Sequence, residues 1–147
     1  MTPKAAPALL VARAGGERYG FEIGTVREIV AIGALAAVPA VSAAVRGVMP
    51  YRERHVSVIS LAALLSGGAP PAEVGPAAVV AALGGAEVAL EVDEVESVVD
   101  PGAEFVAAAG PGAPAARGVC RCGDVLVTVL DAQQLSERVT AMEARAG

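Results

Sequence analysis

Two stretches of twenty residues decide the fold of this chain. VARAGGERYGFEIGTVREIV spans residues 11–30, and VAALGGAEVALEVDEVESVV spans residues 80–99, which is 69 positions later. Seven of the twenty positions are identical, and four more keep an apolar residue. Motifs that recur in the same order at a nearly constant offset are typical of an internal repeat. The sequence therefore predicts a duplicated fold.

The similarity returns later in each half, at an offset of 71 residues. Residues 44–48 (AVRGV) match residues 115–119 (AARGV), and residues 56–60 match residues 127–131. A module of roughly 60 residues with few large side chains buries too little apolar surface to be stable alone. We therefore expect two similar β modules that share one hydrophobic core.

Each half begins with a predicted β-hairpin. An apolar run reaches a Gly-Gly pair at residues 15–16 or 84–85, and the return strand alternates apolar and polar residues. The apolar spacing then changes from two residues to three, which would turn the buried face of a continuous strand outward. We expect a bulge or bend near Gly24 and Asp93, with a helical turn as the alternative.

Each half ends with a second predicted hairpin that leads into a helix. Ser60 and Asp131 follow the last strands, and both residue types are good N-caps because a side-chain oxygen can accept from the first helical turn. We predict an all-β protein with two small five-stranded SH3-like or OB-like barrels. Its expected segments are a flexible tail at 1–7, a first barrel at about 8–66, a linker at 69–76, a second barrel at about 77–131, and a C-terminal helix and tail at 131–147.

Composition excludes several classes of function. The net charge is −5, and aromatic residues make up only 3% of the chain. A nucleic-acid-binding protein would carry a basic face and aromatic stacking platforms, so we expect no nucleic-acid partner. The uncharged stretch at residues 30–45 is shorter than the ~20 apolar residues of a transmembrane helix, so we expect no membrane insertion.

No set of reactive residues points to catalysis. His55 is the single histidine, and neither Gly-Gly pair precedes a helix with the Lys-Ser/Thr of a phosphate loop. We interpret Cys120 and Cys122 as ordinary thiols in a reducing compartment. The acidic residues 91–96 are expected to form a solvated strand edge. The sequence thus predicts no catalytic residue, no cofactor and no metal, and it favours a binding surface for proteins.

Five motifs, in their order along the chain, carry a resemblance to a known family. The chain resembles the CheW-like coupling proteins of bacterial chemosensory arrays over about residues 8–135. The motifs are EIGTVREI at 22–29, Gly47-Val48 followed by Arg52, VISL at 58–61, LEVDEV at 90–95, and Gly118-Val119 with VLD at 129–131. The resemblance implies two intertwined five-stranded barrels. It also implies a cytoplasmic, non-catalytic adaptor that links chemoreceptor tips to the histidine kinase CheA.

The resemblance implies a receptor-binding groove beside Val26, Glu28, Gly47 and Arg52. A receptor tip is a helical hairpin, so an apolar groove rimmed by Glu28 and Arg52 would accept its apolar stripe and orient it by charge. The alternative interpretation is that Val26 and Ile29 belong to the core and that Gly47 is a turn residue.

The chain departs from the family pattern R-G-x-x-x-P-x-x-D-L at three positions. Glu53, Ser57 and Ser60 stand where the family has Gly, Pro and Asp. Glu53 adopts a positive φ only at a cost, so the hairpin turn is expected to differ. This region contributes to kinase contact in the family, and we therefore expect weak or absent CheA binding, with another CheW-like protein as an alternative partner. Such a chain would be similar to the divergent CheW-like proteins of gliding-bacterium Frz systems.

Two other classes remain as alternatives. One is a generic SH3-like or OB-like module that binds a peptide or a nucleic acid, although the acidic charge and the scarcity of aromatic residues argue against nucleic acid. The other is an enzyme, which would need a metal or cofactor that the motifs do not indicate.

Overall fold

A computed structural model describes residues 8–39, 42–100, 105–107 and 115–143. These residues form eleven strands, two α-helices and one short 3-10 turn. The first half contains β1 (Leu9–Ala14), β2 (Glu17–Glu22), β3 (Val26–Ala31), β4 (Val45–Tyr51), β5 (Arg54–Ser60) and α1 (Leu61–Ser66). The second half contains β6 (Ala77–Leu83), β7 (Ala86–Val92), β8 (Glu94–Val99), β9 (Phe105–Ala107), β10 (Ala116–Cys122), β11 (Val125–Leu130) and α2 (Ala132–Glu143).

The strands form two sheets, as expected for an all-β protein. The five-stranded sheet has the order β3-β6-β7-β5-β4. The six-stranded sheet has the order β8-β1-β2-β11-β10-β9, and its additional strand is β9, which pairs with β10. The predicted all-β fold class with paired SH3-like modules is confirmed.

Each sheet combines strands from both halves of the sequence. The β6–β7 hairpin of the second half lies between β3 and β5 of the first, and the β1–β2 hairpin lies between β8 and β11. Four strand pairs join the two halves: β5 with β7 and β11 with β2 are parallel, and β3 with β6 and β1 with β8 are antiparallel. The barrels expected at 8–66 and 77–131 each correspond to one half of the repeat. In the structure, each sheet instead contains one hairpin from the other half. The exchange lets each half bury apolar surface that it could not cover alone.

The Gly-Gly pairs form the turns of the exchanged hairpins. Gly15 and Gly16 have φ of 61° and 84°, and Gly84 and Gly85 have φ of 59° and 85°. Positive φ at both central residues is typical of a type I′ turn, which glycine adopts without steric cost. The predicted hairpins are thus present in both halves.

The change of apolar spacing after each hairpin is resolved in two ways. In the first half a 3-10 turn covers Ile23–Thr25, and in the second half Asp93 alone forms a bend. The predicted bend and the alternative helical turn therefore both occur. Each break redirects the next strand, β3 or β8, to the opposite sheet.

Both helices begin at the predicted N-caps. The Ser60 hydroxyl accepts a hydrogen bond from the Ala63 N–H at 3.2 Å, and the Asp131 carboxylate accepts one from the Gln134 N–H at 2.9 Å. Helix α1 ends at Gly67, whose φ of 79° is the left-handed conformation typical of helix C-termini. Within the part of the chain that the structure describes, no helix is long and apolar enough to cross a membrane.

One hydrophobic core serves both halves, as the repeat predicted. Its buried side chains come from strands of both sheets and from both helices, and they include Leu10, Phe21, Leu64, Leu90 and Leu135. A second cluster lies within the five-stranded sheet and contains Met49 and Tyr51.

Candidate protein-interaction groove

The two edge strands of the five-stranded sheet are joined by side chains. Strand β3 carries Glu28, β4 carries Tyr51, and the turn after β4 carries Arg52. The Tyr51 hydroxyl donates to Glu28 Oε1 at 3.0 Å, and Arg52 Nη2 donates to the same oxygen at 2.9 Å. Arg52 Nε donates to the Tyr51 hydroxyl oxygen at 3.2 Å. We call these three residues the Glu28 cluster.

The hydrogen bonds of the Glu28 cluster stabilise the charged forms of both ionic groups. The Arg52 guanidinium, followed by the Tyr51 hydroxyl, lowers the pKa of Glu28. The same bonds, with the Glu28 contribution largest, raise the pKa of Arg52. The Glu28 side chain is 43% exposed and that of Arg52 is 68% exposed. Water therefore screens the pair, and both charges face solvent.

Arg52 occupies a backbone position that favours glycine. Its φ is 52°, whereas the matching residue in the second half is Gly123, with φ of 64°. A left-handed conformation is unfavourable for a residue with a Cβ. The sequence predicted an altered turn because Glu53 adopts a positive φ only at a cost, and the positive φ lies one residue earlier, at Arg52. The Arg52 guanidinium also lies 5.4 Å from the centroid of the Tyr51 ring.

An apolar groove of about 420 Å³ lies beside the Glu28 cluster. Tyr51 belongs to both, because its ring lines the groove while its hydroxyl contacts Glu28. The remaining lining comes from β3, β4 and the segment after β3, namely Val30, Ala31, Gly33, Ala34, Met49 and Pro50. The arrangement is an open apolar surface with one negative and one positive side chain at its margin, which suits a protein partner.

A family model for the CheW-like domain matches residues 8–140, which is most of the chain. The chain belongs to the CheW-like family. Among solved structures, the CheW-like chain is similar to the scaffolding protein TtCheW from Thermoanaerobacter tengcongensis, with a TM-score of 0.80 and 19% sequence identity. That match covers 95% of this chain and 97% of the other, and it shows a shared fold. No curated protein sequence matches the chain.

Two of the four residues suggested for the receptor groove of this CheW-like chain, Val26 and Gly47, support the fold instead of facing the groove. Val26 is half-buried and packs against the shared core. Gly47 is buried with φ of 144°, and a Cβ there would lie 2.6 Å from the Ala36 carbonyl oxygen. This close approach lets Ala36 and Val48 exchange two backbone hydrogen bonds of 2.9 Å. Gly47 thus holds the segment after β3 against β4, which shapes the groove.

The three positions that depart from the CheW-like pattern lie in different environments. Glu53 is exposed in the β4–β5 turn, next to Arg52. Ser57 is half-buried in β5, opposite Val48. Ser60 is buried and serves as the N-cap of α1. Of the three, Glu53 is therefore the residue most accessible to a partner.

Sequence reasoning missed a buried ion pair between the halves. Glu91 was expected on a solvated edge, but its side chain is 7% exposed, and its Oε1 accepts from Arg46 Nε at 2.9 Å. Arg46 also donates to the Glu73 carbonyl oxygen at 2.7 Å, and the Gly75 N–H donates to Glu91. The repeat contained a sign of this pair, because Arg46 recurs as Arg117 and Glu91 recurs as Glu22. Arg117 and Glu22 form the matching ion pair.

The neighbouring acidic residues are exposed, as expected, but they are also paired. Asp93 accepts from the Gly15 N–H at 3.0 Å, Glu94 pairs with Arg13 at 2.9 Å, and the Glu96 carboxylate lies 2.7 Å from Arg18 Nε. Among the described residues, no group of three or more His, Cys, Asp or Glu side chains could hold a metal ion.

Proposed function

We propose that this CheW-like chain is a non-catalytic chemosensory adaptor that binds the cytoplasmic tips of chemoreceptors. The observation that carries the proposal is the apolar groove between β3 and β4, with the Glu28 cluster at its margin. Family membership and the scaffolding protein with the same fold support the adaptor role. The cytoplasm is the corresponding site of action.

The groove suits an amphipathic helix of the receptor tip. The apolar stripe of such a helix would cover the Val30 and Met49 side of the groove, while its polar residues would meet Glu28 and Arg52. Exposed charges at the rim of an interface contribute mainly to orientation and to the rate of association. The Glu28 cluster holds both charges in one geometry before the partner arrives, which lowers the entropy lost on binding.

On the kinase side, we propose that this chain binds CheA more weakly than an ordinary coupling protein does. Ser60 caps α1, so this substitution leaves the start of the helix intact. Glu53 adds an exposed negative charge to the turn where the family has glycine. A partner surface built for that glycine would meet both a side chain and a charge. Another CheW-like protein is the alternative partner for this face.

The receptor part is tested by reversing the charge of Glu28. Purified Glu28→Lys should bind the cytoplasmic hairpin of the cognate receptor roughly tenfold more weakly, because the reversed charge opposes its partner group and slows association. Glu17→Lys is the matched control, since Glu17 is exposed on the six-stranded sheet, away from the groove. Equal binding by both variants in calorimetry would contradict the proposed site.

The kinase part needs a separate measurement. The wild-type chain and a Glu53→Gly variant are compared for capture by the regulatory domain of CheA at physiological salt. We expect little capture of the wild type and more of the variant. Tight capture of the wild type would contradict reduced kinase binding and would indicate an ordinary coupling protein, while leaving the receptor site unaffected.

A further inference from the structure

Cys120 and Cys122 form a contact pair of thiols on β10. Their Sγ atoms are 3.5 Å apart, because side chains two residues apart on a strand point to the same face. Cys120 is fully buried and Cys122 is half-buried. Cys122 is therefore the more exposed residue of the pair, and its sulfur is in contact with that of the buried Cys120.

The thiol pair is specific to the second half of the repeat. The matching positions in the first half, 71 residues earlier, are Met49 and Tyr51, which line the groove. In the second half the thiols instead join a small apolar cluster with Leu9 and Val129. The proposed receptor groove makes no use of this cluster, so its chemistry is independent of the adaptor function.

Although the sequence indicated two ordinary thiols, we propose that Cys120 and Cys122 are a modification site that forms a reversible disulfide with a peroxide as oxidant. The Cys122 thiolate attacks one peroxide oxygen, the O–O bond breaks, and protonation of the leaving oxygen gives water and a sulfenic acid. Cys120 sulfur then attacks the sulfenic sulfur, an S–S bond replaces the S–O bond, and the second water leaves with the thiol proton. The two thiols lose two electrons, and the peroxide gains them.

The geometry places the two sulfur atoms in contact and leaves the bridge between them strained, so the disulfide should be easy to reduce. The sulfur atoms must close from 3.5 Å to the ~2.05 Å of a disulfide bond. Two residues of extended strand separate the Cα atoms by ~6.7 Å, which is at the upper end of the range for disulfides. The bridge must therefore shorten the strand locally, and strained bridges are the reducible, regulatory ones. Strand β10 lies between β9 and β11, so the strain is transmitted to both pairings.

The test is intact-mass measurement of the full chain after treatment with hydrogen peroxide. We expect the wild type to become lighter by two hydrogen atoms, to lose both alkylatable thiols, to stay monomeric without reductant, and to recover both thiols with dithiothreitol. A wild-type product that gains oxygen atoms on its cysteines, keeps its thiols or links two chains would overturn the proposal.

Two variants assign the order of the steps. Cys120→Ala lacks the resolving thiol, so its Cys122 should gain oxygen or link two chains. Cys122→Ala leaves only the buried thiol, which should react at least tenfold more slowly with peroxide than Cys122 does in Cys120→Ala. Equal rates would overturn the assignment of Cys122 as the attacking thiol. The wild-type mass shift tests the disulfide itself even where a variant is poorly folded.

Discussion

Arg46 and Glu91 form an ion pair that joins the two halves of the chain in the interior. Arg46 Nε and Glu91 Oε1 are 2.9 Å apart, and the two side chains are only 8% and 7% exposed. The repeat contains the pair a second time as Arg117 and Glu22, whose side chains are 48% and 25% exposed. The duplication therefore provides a buried and a more exposed copy of one interaction in the same molecule.

Removal of Arg46 should destabilise the protein strongly. Arg46→Ala leaves the Glu91 carboxylate buried without its cation, which typically costs ~3–5 kcal/mol of unfolding free energy. Arg117→Ala is the matched control and should cost about 0–1 kcal/mol, because water screens the more exposed pair. Urea denaturation measures both values. Similar losses in the two variants would show that burial does not distinguish the pairs.

A double substitution distinguishes the loss of the ion pair from the cost of leaving one charge buried and unpaired. Arg46→Met with Glu91→Leu removes both charges and keeps most of the volume, so it should be less destabilising than Arg46→Ala alone. If the double variant is the less stable of the two, the stability lost with the hydrogen bonds to Glu73 and Gly75 exceeds the stability gained by avoiding an unpaired buried charge.

Replacement of Gly47 by alanine should destabilise the fold. The new Cβ would lie 2.6 Å from the Ala36 carbonyl oxygen, at a φ of 144°. We expect a loss of roughly 2 kcal/mol or more in thermal or urea unfolding. Gly24→Ala is the control, since Gly24 lies outside the groove and a Cβ there meets open space. A stable Gly47→Ala chain with weakened receptor binding would instead make Gly47 a contact residue.

Arg52→Gly should separate binding from stability. Glycine relieves the left-handed conformation at φ 52° and reproduces the residue found at position 123. The unfolding midpoint should stay the same or rise, because the ion pair that is lost lies in solvent. Receptor binding should weaken roughly tenfold through loss of the rim cation. A lower midpoint with normal binding would show that Arg52 is structural.

The titration of Glu28 should depend on Arg52. The pKa of Glu28 is lowered in the folded chain, so its contribution to stability is fully present above the unfolded value of ~4.3 and is lost as the pH falls through the folded value. Carboxyl NMR titration should show the lowered pKa in the wild type and a higher pKa in Arg52→Gly. An unchanged Glu28 titration would mean that the Arg52 hydrogen bond does not form in solution.

Local features were predictable because they depend on a few consecutive residues. The Gly-Gly pairs at 15–16 and 84–85 predicted hairpins, since few other residues adopt two successive positive φ values. Ser60 and Asp131 predicted helix starts, since their side chains cap the following turn. The duplication was readable from the repeat itself, and so was a core shared by two modules too small to fold alone.

The candidate site was only partly predictable. The family resemblance indicated Glu28 and Arg52 beside a groove, and the structure joins them through hydrogen bonds. Tyr51 was missed, because nothing local indicates that its ring would line the groove while its hydroxyl reaches β3. For Gly47, the close contact with Ala36 depends on a segment eleven residues earlier in the sequence.

By itself the sequence determined the local turns and caps, the repeat and the predominance of β-strands, because each depends on neighbouring residues or on self-similarity. Only the tertiary structure decided which hairpin enters which sheet and which charges meet. The exchange of hairpins brings Arg46 to Glu91 across 45 positions of the chain. Such pairings are selected by the burial of apolar surface over the whole molecule, and no local pattern of residues encodes that choice.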